Sequence, residues 1–465
     1  MKKTYEGADS SVLTSLQELE RSVLSCLLWE DTFYENGLEI TERISKLIPE
    51  VNPELVKSLA IKARNDMKLR KIPLFLIVEM LKYPSYKENI SKILPLVVQR
   101  PDELITLLEL YWKDCKKPIP SQLKKGIAKS FVKFDGYQLK KYIGMKKDIT
   151  LRDVMFLTHP KPINGRNGYV KDVRKFQENL PELNDQELNW KMLADNTLPP
   201  SDTWEHNLSE GADKKETFER LLSTNKLGSL ALLKNIRNMV NAGVDISILS
   251  EGIRNMNVEK VFPYRFITAS KYSPSELLPY LEEAMFKSIK YFDRLKGRTV
   301  LLVDVSGSMD CRISSGNNKK ESNKTDRIDV ACGLAILLKE ICNDIKIYTF
   351  SNNVCYISDN SRGFKMSNDI INSQYHSSTY LGKAIRFINR NDYDRLIIIT
   401  DEQSHDNIPK AVVDKSYIIN VAPYRYGIGY DNYVHINGWS ESIILWMSKY
   451  EKEFLNRDIR DTEYR

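Results

Sequence analysis

Three side chains at alternate positions, Asp304, Ser306 and Ser308, offer only oxygen, and they follow the apolar run Thr299-Val300-Leu301-Leu302-Val303. A carboxylate and two hydroxyls in one turning loop suit a hard cation such as Mg²⁺ or Mn²⁺ rather than zinc. One loop cannot complete such a site. Two further donors stand at suitable places. Thr379 lies in His376-Ser377-Ser378-Thr379-Tyr380-Leu381-Gly382, just ahead of a helical segment, and Asp401 ends the apolar run Ile397-Ile398-Ile399-Thr400. Asp304, Ser306, Ser308, Thr379 and Asp401 are therefore the candidate metal ligands. No catalytic residue is expected among them. The set has no evident general base, and Asp-x-Ser-x-Ser lacks the second close carboxylate of a phosphoryl-transfer site.

To position these donors, the runs before Asp304 and Asp401 must be strands. A continuous apolar run reads as a strand buried on both faces, as in a parallel sheet. The carboxyl edge of such a sheet is where open α/β folds hold ligands. From Arg298 onward, strands are expected at 299–305, 344–350, 354–357, 396–400 and 416–421. They alternate with helices at 328–343, 381–389, 409–414 and 442–455. Residues 310–326 are too polar to pack and form a loop beside the metal position.

Everything before residue 299 has a different period. Leu13, Leu16, Leu19, Val23, Leu24, Leu27 and Leu28 form one helical stripe, and the pattern recurs at 40–47, 53–65, 74–82, 88–98 and 102–112. Further helices are expected at 226–240, from Pro263, and at 275–292. Asn52 and Asp102 read as caps, Pro53 and Pro73 as helix starts, and Pro95 as a kink or break. Short amphipathic helices in series suggest an α-solenoid, although no clean sequence repeat is present. The expected domains are 1–296, helical, and 297–465, α/β.

The chain has 465 residues, enough for two to four domains. Its N-terminus is polar, and no run reaches the roughly 18 apolar residues of a membrane helix, so a cytoplasmic location is expected. The cysteines are scattered without a C-x-x-C pair, which argues against a disulfide framework or a zinc site. The net charge of +7 is unevenly spread. Residues 297–465 carry 22 basic and 22 acidic side chains, whereas 113–175 carry 17 and 5, a local +12. A solvated helical face would account for an isolated lysine run, but an excess of this length fits a polyanion partner.

Within the basic region, Leu123, Ile127, Phe131 and Phe134 form an apolar stripe that leaves Lys124, Lys125, Lys129 and Lys133 outside it. Lys140, Lys141, Lys146 and Lys147 follow, interleaved with Tyr137 and Tyr142. Arg152, His159 and Lys161 stand on and after a short helical segment, and Arg166 lies in a flexible loop. Cations interleaved with aromatics suit single-stranded nucleic acid, which is held by phosphate contact and base stacking.

The order Asp304-x-Ser306-x-Ser308, threonine loop, strand ending at Asp401 resembles the metal-ion-dependent adhesion site of a von Willebrand factor A domain. That resemblance implies that Ser306, Ser308 and Thr379 contact the ion, that Asp304 and Asp401 act directly or through water, and that one position stays open for a partner's acidic group. A helical domain of about 290 residues leading into an A domain resembles the layout of the Ro ribonucleoprotein, or TROVE-module, family. Residues 149–162 are similar to that family's W-[ST]-H-[KR]-D-x-L-R-L-x-H-x-K-P pattern, with Arg152, Asp153, Leu157, His159, Lys161 and Pro162 in place. Leu151 and Ile149 stand where the family has its first histidine and its tryptophan. The resemblance implies a HEAT-like α-helical repeat ring followed by a doubly wound, Rossmann-like α/β A domain. It also implies a monomer that binds the 3′ ends of misfolded non-coding RNA and small Y-like RNAs in RNA quality control, with an RNA-processing nuclease as a candidate partner. The competing reading is a scaffold whose A domain docks an acidic protein.

Overall fold

The computed structural model describes residues 3–10, 12–24, 37–113, 117–143, 148–161, 185–259, 261–290, 292–311, 326–422, 424, 426–429, 433–438, 443–444, 446–448 and 450–451. The apolar run that ends at Asp304 forms β1 (Leu295–Asp304), a central strand of a six-stranded sheet. The others are β2 (Cys342–Phe350), β3 (Val354–Ile357), β4 (Arg395–Thr400), β5 (Ser416–Asn420) and β6 (Val434–Asn437). Their order is β3-β2-β1-β4-β5-β6, parallel throughout except for β3, which runs antiparallel to β2. The chain thus builds outward from β1 in one direction and from β4 in the other. β1 pairs with β4 as far as Val303 opposite Ile399, so their carboxyl ends finish side by side at the point where the strand order reverses.

Both faces of the sheet are covered, which is why β1 and β4 do not alternate apolar and polar residues. On one face Val300, Leu302, Leu396, Ile398 and Ile418 pack with Leu381, Ala384, Ile385 and Ile388 of the helix Leu381–Ile388. Helix Arg327–Ile341 packs on β1 and β2 and also meets helices Pro263–Ser270, Leu278–Ile289 and Gly363–Ile371. Enclosed in this way, it is buried at nearly every position. Arg395 on β4 is almost fully buried and spans the lower end of the sheet, donating to both carboxylate oxygens of Glu451, at 2.7 and 2.5 Å, and to Thr299 Oγ1 at 2.8 Å.

The chain divides into two units, 1–44 with 213–465, and 45–212. The first unit therefore contains the sheet, the helices from Lys214–Ser223 to Leu278–Ile289, and the N-terminal segment. That segment is tied to the loop after β4. Thr4 Oγ1 donates to Ser404 O (2.9 Å), Tyr5 N to Gln403 Oε1 (2.8 Å) and Asp9 N to Asn407 Oδ1 (2.9 Å). Helix Ser15–Leu24 then places the fully buried Arg21 against the fully buried Glu402. In the second unit, helices such as Pro53–Asn65, Pro101–Tyr111 and Ser121–Phe131 bury their apolar stripes, and Arg64 pairs with Glu103 at 2.7 Å.

Several expectations require correction. Residues 409–414 are not helical; Ala411 and Val413 are half-buried and Val412 is exposed, in a bent piece too short to nucleate a helix. Strand β6 and helix Gly363–Ile371 were not expected. Asp102 is not a cap: Arg100 holds that position, and Asp102 sits within the first turn, paired with Arg70 and Arg100. Pro95 lies inside its helix, Ile90–Val97, without breaking it, and Lys133 Nζ donates to Pro95 O and Val98 O. Asn52 does cap Pro53–Asn65, its side chain accepting from Glu54 N at 2.9 Å. Among the described residues no helix is long and apolar enough to cross a membrane.

Two substitutions test this packing. A Cβ at Gly333 would lie 2.8–3.0 Å from Tyr264 Cβ, N and Cα, atoms of a helix backbone or fixed directly to it that cannot swing aside. Gly333→Ala should therefore lower stability by about 1–3 kcal/mol, read as a lower urea midpoint. Arg21→Met leaves Glu402 buried without its guanidinium and should cost about 3–5 kcal/mol. Adding Glu402→Gln should restore part of that loss, and equal midpoints for the single and double variants would show that the pair carries none of it.

Candidate functional site

The carboxyl ends of β1 and β4 present Asp304 and Asp401, both fully buried. Asp304 turns the chain: its Oδ1 accepts Ser306 N (2.9 Å) and its Oδ2 accepts the Thr400 hydroxyl (2.6 Å). The Ser306 and Ser308 hydroxyls lie 3.2 Å apart. Burial, and next the charge of Asp401, push the Asp304 carboxyl well above the usual carboxylate range. Two acids at a dry sheet edge repel each other unless something cationic lies between or beside them.

The threonine loop is fastened to the same edge. Gly307 N donates to Ser377 O (3.0 Å), and the Ser351 hydroxyl donates to Ser378 O (2.9 Å) and accepts Ser377 N (3.0 Å). Thr379 is buried and gripped by His405, whose backbone N–H reaches Thr379 O (2.8 Å) and whose Nδ1 lies 3.2 Å from Thr379 N. The other ring nitrogen of His405 meets Glu6 of the N-terminal segment at 3.0 Å. Across the loop, His376 Nδ1 meets Asp310 at 2.7 Å while its Nε2 lies 2.7 Å from Ile371 O.

All five candidate ligands thus stand on loops at one edge of the sheet. Among the described residues no three His, Cys, Asp or Glu side chains gather in a metal-holding group. An ion at this edge would depend on the hydroxyls of Ser306, Ser308 and Thr379 as well as on the two carboxylates. That all-oxygen set fits Mg²⁺ or Mn²⁺.

Sequence reasoning missed four participants. Arg327 is 2% exposed, and its Nη1 lies 3.6 Å from Asp401 Oδ2 and 3.5 Å from Ser308 O. The Asp326-x-x-Asp329 capping box was a visible signal that Arg327 opens a helix after the polar loop. Glu402 adopts φ +61°, unusual for a residue with a side chain, and meets both Arg21 and His435. Burial works to raise its carboxyl, but Arg21 and His435 outweigh burial and hold it below the usual range. His405 and Glu6 could not be linked from sequence, being 399 positions apart.

The basic region lies in the second unit. Leu123, Ile127, Phe131 and Phe134 are buried, as the stripe required. Lys125, Lys129 and Lys141 are exposed and Lys124 and Lys140 half-buried; none of these five is ion-paired among the described residues. Lys133, by contrast, is spent on the carbonyls of Pro95 and Val98. Tyr137 is exposed, whereas Tyr142 lies under the Arg100 guanidinium, 5.2 Å from ring centroid to carbon. Lys146, Lys147 and Arg166 fall outside the described residues.

In the helix Leu151–Thr158, Thr150 and Asp153 form a capping box, so Asp153 serves the fold. Arg152 is exposed, its Nε donates to Ala194 O (2.7 Å), and its guanidinium stacks over Phe156. His159, exposed, caps the helix in the left-handed conformation (φ 50°), and Lys161 is exposed just beyond it. Leu151 is 3% exposed and points into the core, so this position offers no surface group to a ligand.

Comparison with known proteins places these features. Residues 176–280 match the TROVE domain family. Telomerase protein component 1 of Rattus norvegicus is 22% identical over 353 residues, covering 58% of this chain and 13% of that protein. The Mus musculus protein of that name is 20% identical over 334 residues, covering 55% and 13%. The chain therefore spans about an eighth of these relatives. The crystal structure of the Deinococcus radiodurans Ro (RSR) protein shares the fold, with a TM-score of 0.56 at 14% identity over 92% of this chain and 97% of that one. The chain thus carries a segment similar to the TROVE domain family at 176–280 and shares the fold of the Ro protein over nearly its whole length.

Proposed function

We propose that the chain is a non-enzymatic RNA-binding protein that holds the single-stranded 3′ ends of misfolded non-coding RNA, and small Y-like RNAs, within a ribonucleoprotein for RNA quality control. The observation that carries this reading is that Lys124, Lys125, Lys140 and Lys141 have no ion-pair partner among the described residues and that Tyr137 is exposed. Ammonium groups without carboxylate partners are free to neutralise phosphates, and an exposed ring supplies a face for a base. Arg152, His159 and Lys161 extend the cationic surface. With Leu151 buried, Y-like RNA would be held by these neighbours rather than by a histidine at that position.

A second role for the edge of the sheet is favoured by its converged oxygen set. In this reading Ser306, Ser308 and Thr379, with Asp304 and Asp401, hold a divalent cation. When bound, the ion supplies an open coordination position that attracts a carboxylate from an acidic partner. His376 is engaged by Asp310 and Ile371 O, His405 by Glu6 and Thr379, and His435 by Glu402. Under this reading Asp304→Ala should abolish capture of the acidic protein while RNase leaves that complex intact.

The RNA reading is tested by fluorescence anisotropy with a duplex carrying a single-stranded 3′ tail. Log affinity should fall linearly with log salt, and Lys124→Gln or Lys125→Gln should reduce the slope by about 0.7 for each phosphate that is no longer neutralised. Absence of binding at low salt would sink the proposal. An affinity that ignores salt would remove the lysines from it.

A further inference from the structure

Arg327 is the one cation paired with Asp304 or Asp401 among the described residues, and its place there is built in. It opens helix Arg327–Ile341, whose first turn is fixed by the Asp326–Asp329 capping box, and its backbone N–H donates to Cys311 O at 3.0 Å. The side chain is 2% exposed. Its Nη1 stands 3.6 Å from Asp401 Oδ2 and 3.5 Å from the carbonyl of Ser308, groups on two of the three segments that carry the candidate ligands. A guanidinium stays charged at every working pH. It therefore offsets part of the repulsion between the buried Asp304 and Asp401.

The same placement puts Arg327 in conflict with a metal. A divalent cation binding Asp401 directly or through water would face a fixed positive charge on the same carboxylate, in a water-poor setting that strengthens the repulsion. A flexible arginine stem can relieve the conflict by swinging away, whereas Asp304 and Asp401 are anchored to strand ends and cannot.

We propose that Arg327 is a tethered cation that occupies the acidic edge when no metal is bound and is displaced by a divalent ion. It thereby sets the metal concentration at which the docking face forms. This rests on the docking reading of the A-type site and adds an internal competitor to it. The two states differ in which groups meet Asp401: the guanidinium in one, the ion in the other.

The test uses the full chain and Mn²⁺ itself, followed by calorimetry and by the electron paramagnetic resonance of free Mn²⁺. Arg327→Gln, which keeps much of the shape and loses the charge, should bind Mn²⁺ at least about tenfold more tightly, while Arg327→Lys stays close to the unaltered chain. Without metal, Arg327→Gln should melt earlier, and Mn²⁺ should restore it by more degrees than it adds to the unaltered protein. A readout on the unaltered chain guards against a variant that fails to fold. Phenylglyoxal labelling of Arg327, mapped by mass spectrometry, should be low without metal and rise on adding Mn²⁺.

Equal or weaker Mn²⁺ affinity in Arg327→Gln, or labelling indifferent to Mn²⁺, would overturn the competition while leaving the metal site standing. If neither the unaltered chain nor Arg327→Gln binds Mn²⁺, the docking reading itself fails and Arg327 is a permanent counter-ion.

Discussion

Burying Asp304 and Asp401 side by side is the constraint that the surrounding structure answers. Neither carboxylate reaches solvent, and each stands at a strand end where the order of the sheet reverses. Like charges in such a place cost several kcal/mol unless donors or cations offset them. The nearby chain supplies offsets at every turn: the Thr400 hydroxyl and Ser306 N on Asp304, Gln403 N and Arg327 on Asp401. The next residue, Glu402, repeats the problem and is answered by Arg21 and His435. The acids of this edge are thus held by partners drawn from the N-terminal helix, the helix after β1 and the last strand.

That arrangement explains why the N-terminal segment belongs with the sheet and not with the helices that follow it. Arg21 is worth more at Glu402 than in water only because Glu402 is already buried. The hydrogen bonds of Thr4, Tyr5 and Asp9 then extend the same attachment along the loop. Close approach is enforced as well. A Cβ at Gly427 would fall 2.5 Å from Glu402 Oε2 and 2.6 Å from Arg21 Nη1, so the backbone there presses directly on the ion pair.

How much of this was legible in the sequence depends on the range of the interactions. β1 and β4 could be read because a run such as Leu396-Ile397-Ile398-Ile399 has to be buried on both faces wherever it packs. The polar turn that ends β1 could be read because an apolar run gives way there to Asp304, Ser306 and Ser308. Helix Gly363–Ile371 was missed because its stripe is short and interrupted by polar residues, and β6 because four residues carry too little pattern. Residues 409–414 misled because their apolar content carries no helical period. Arg21 with Glu402, and Arg327 with Asp401, were invisible. Their partners lie far off in sequence, and a lone arginine in a helix has no local sign of being buried.

The two candidate surfaces use charge in opposite ways, and that difference bears on how each would respond to its surroundings. Lys124, Lys125, Lys140 and Lys141 are wholly or partly solvated and unpaired among the described residues, so any attraction for a polyanion decays over a Debye length of about 8 Å at physiological salt. The charges around Asp304, Asp401 and Glu402 are buried and mutually compensated, and mobile ions screen them little. Salt would therefore act on the basic surface and leave the sheet edge nearly unchanged. A site-bound divalent ion would act on the edge first, because there it meets two fixed carboxylates. If both proposed roles hold, the chain would take two electrostatic inputs of different physical kind, one through ionic strength and the other through a specific cation.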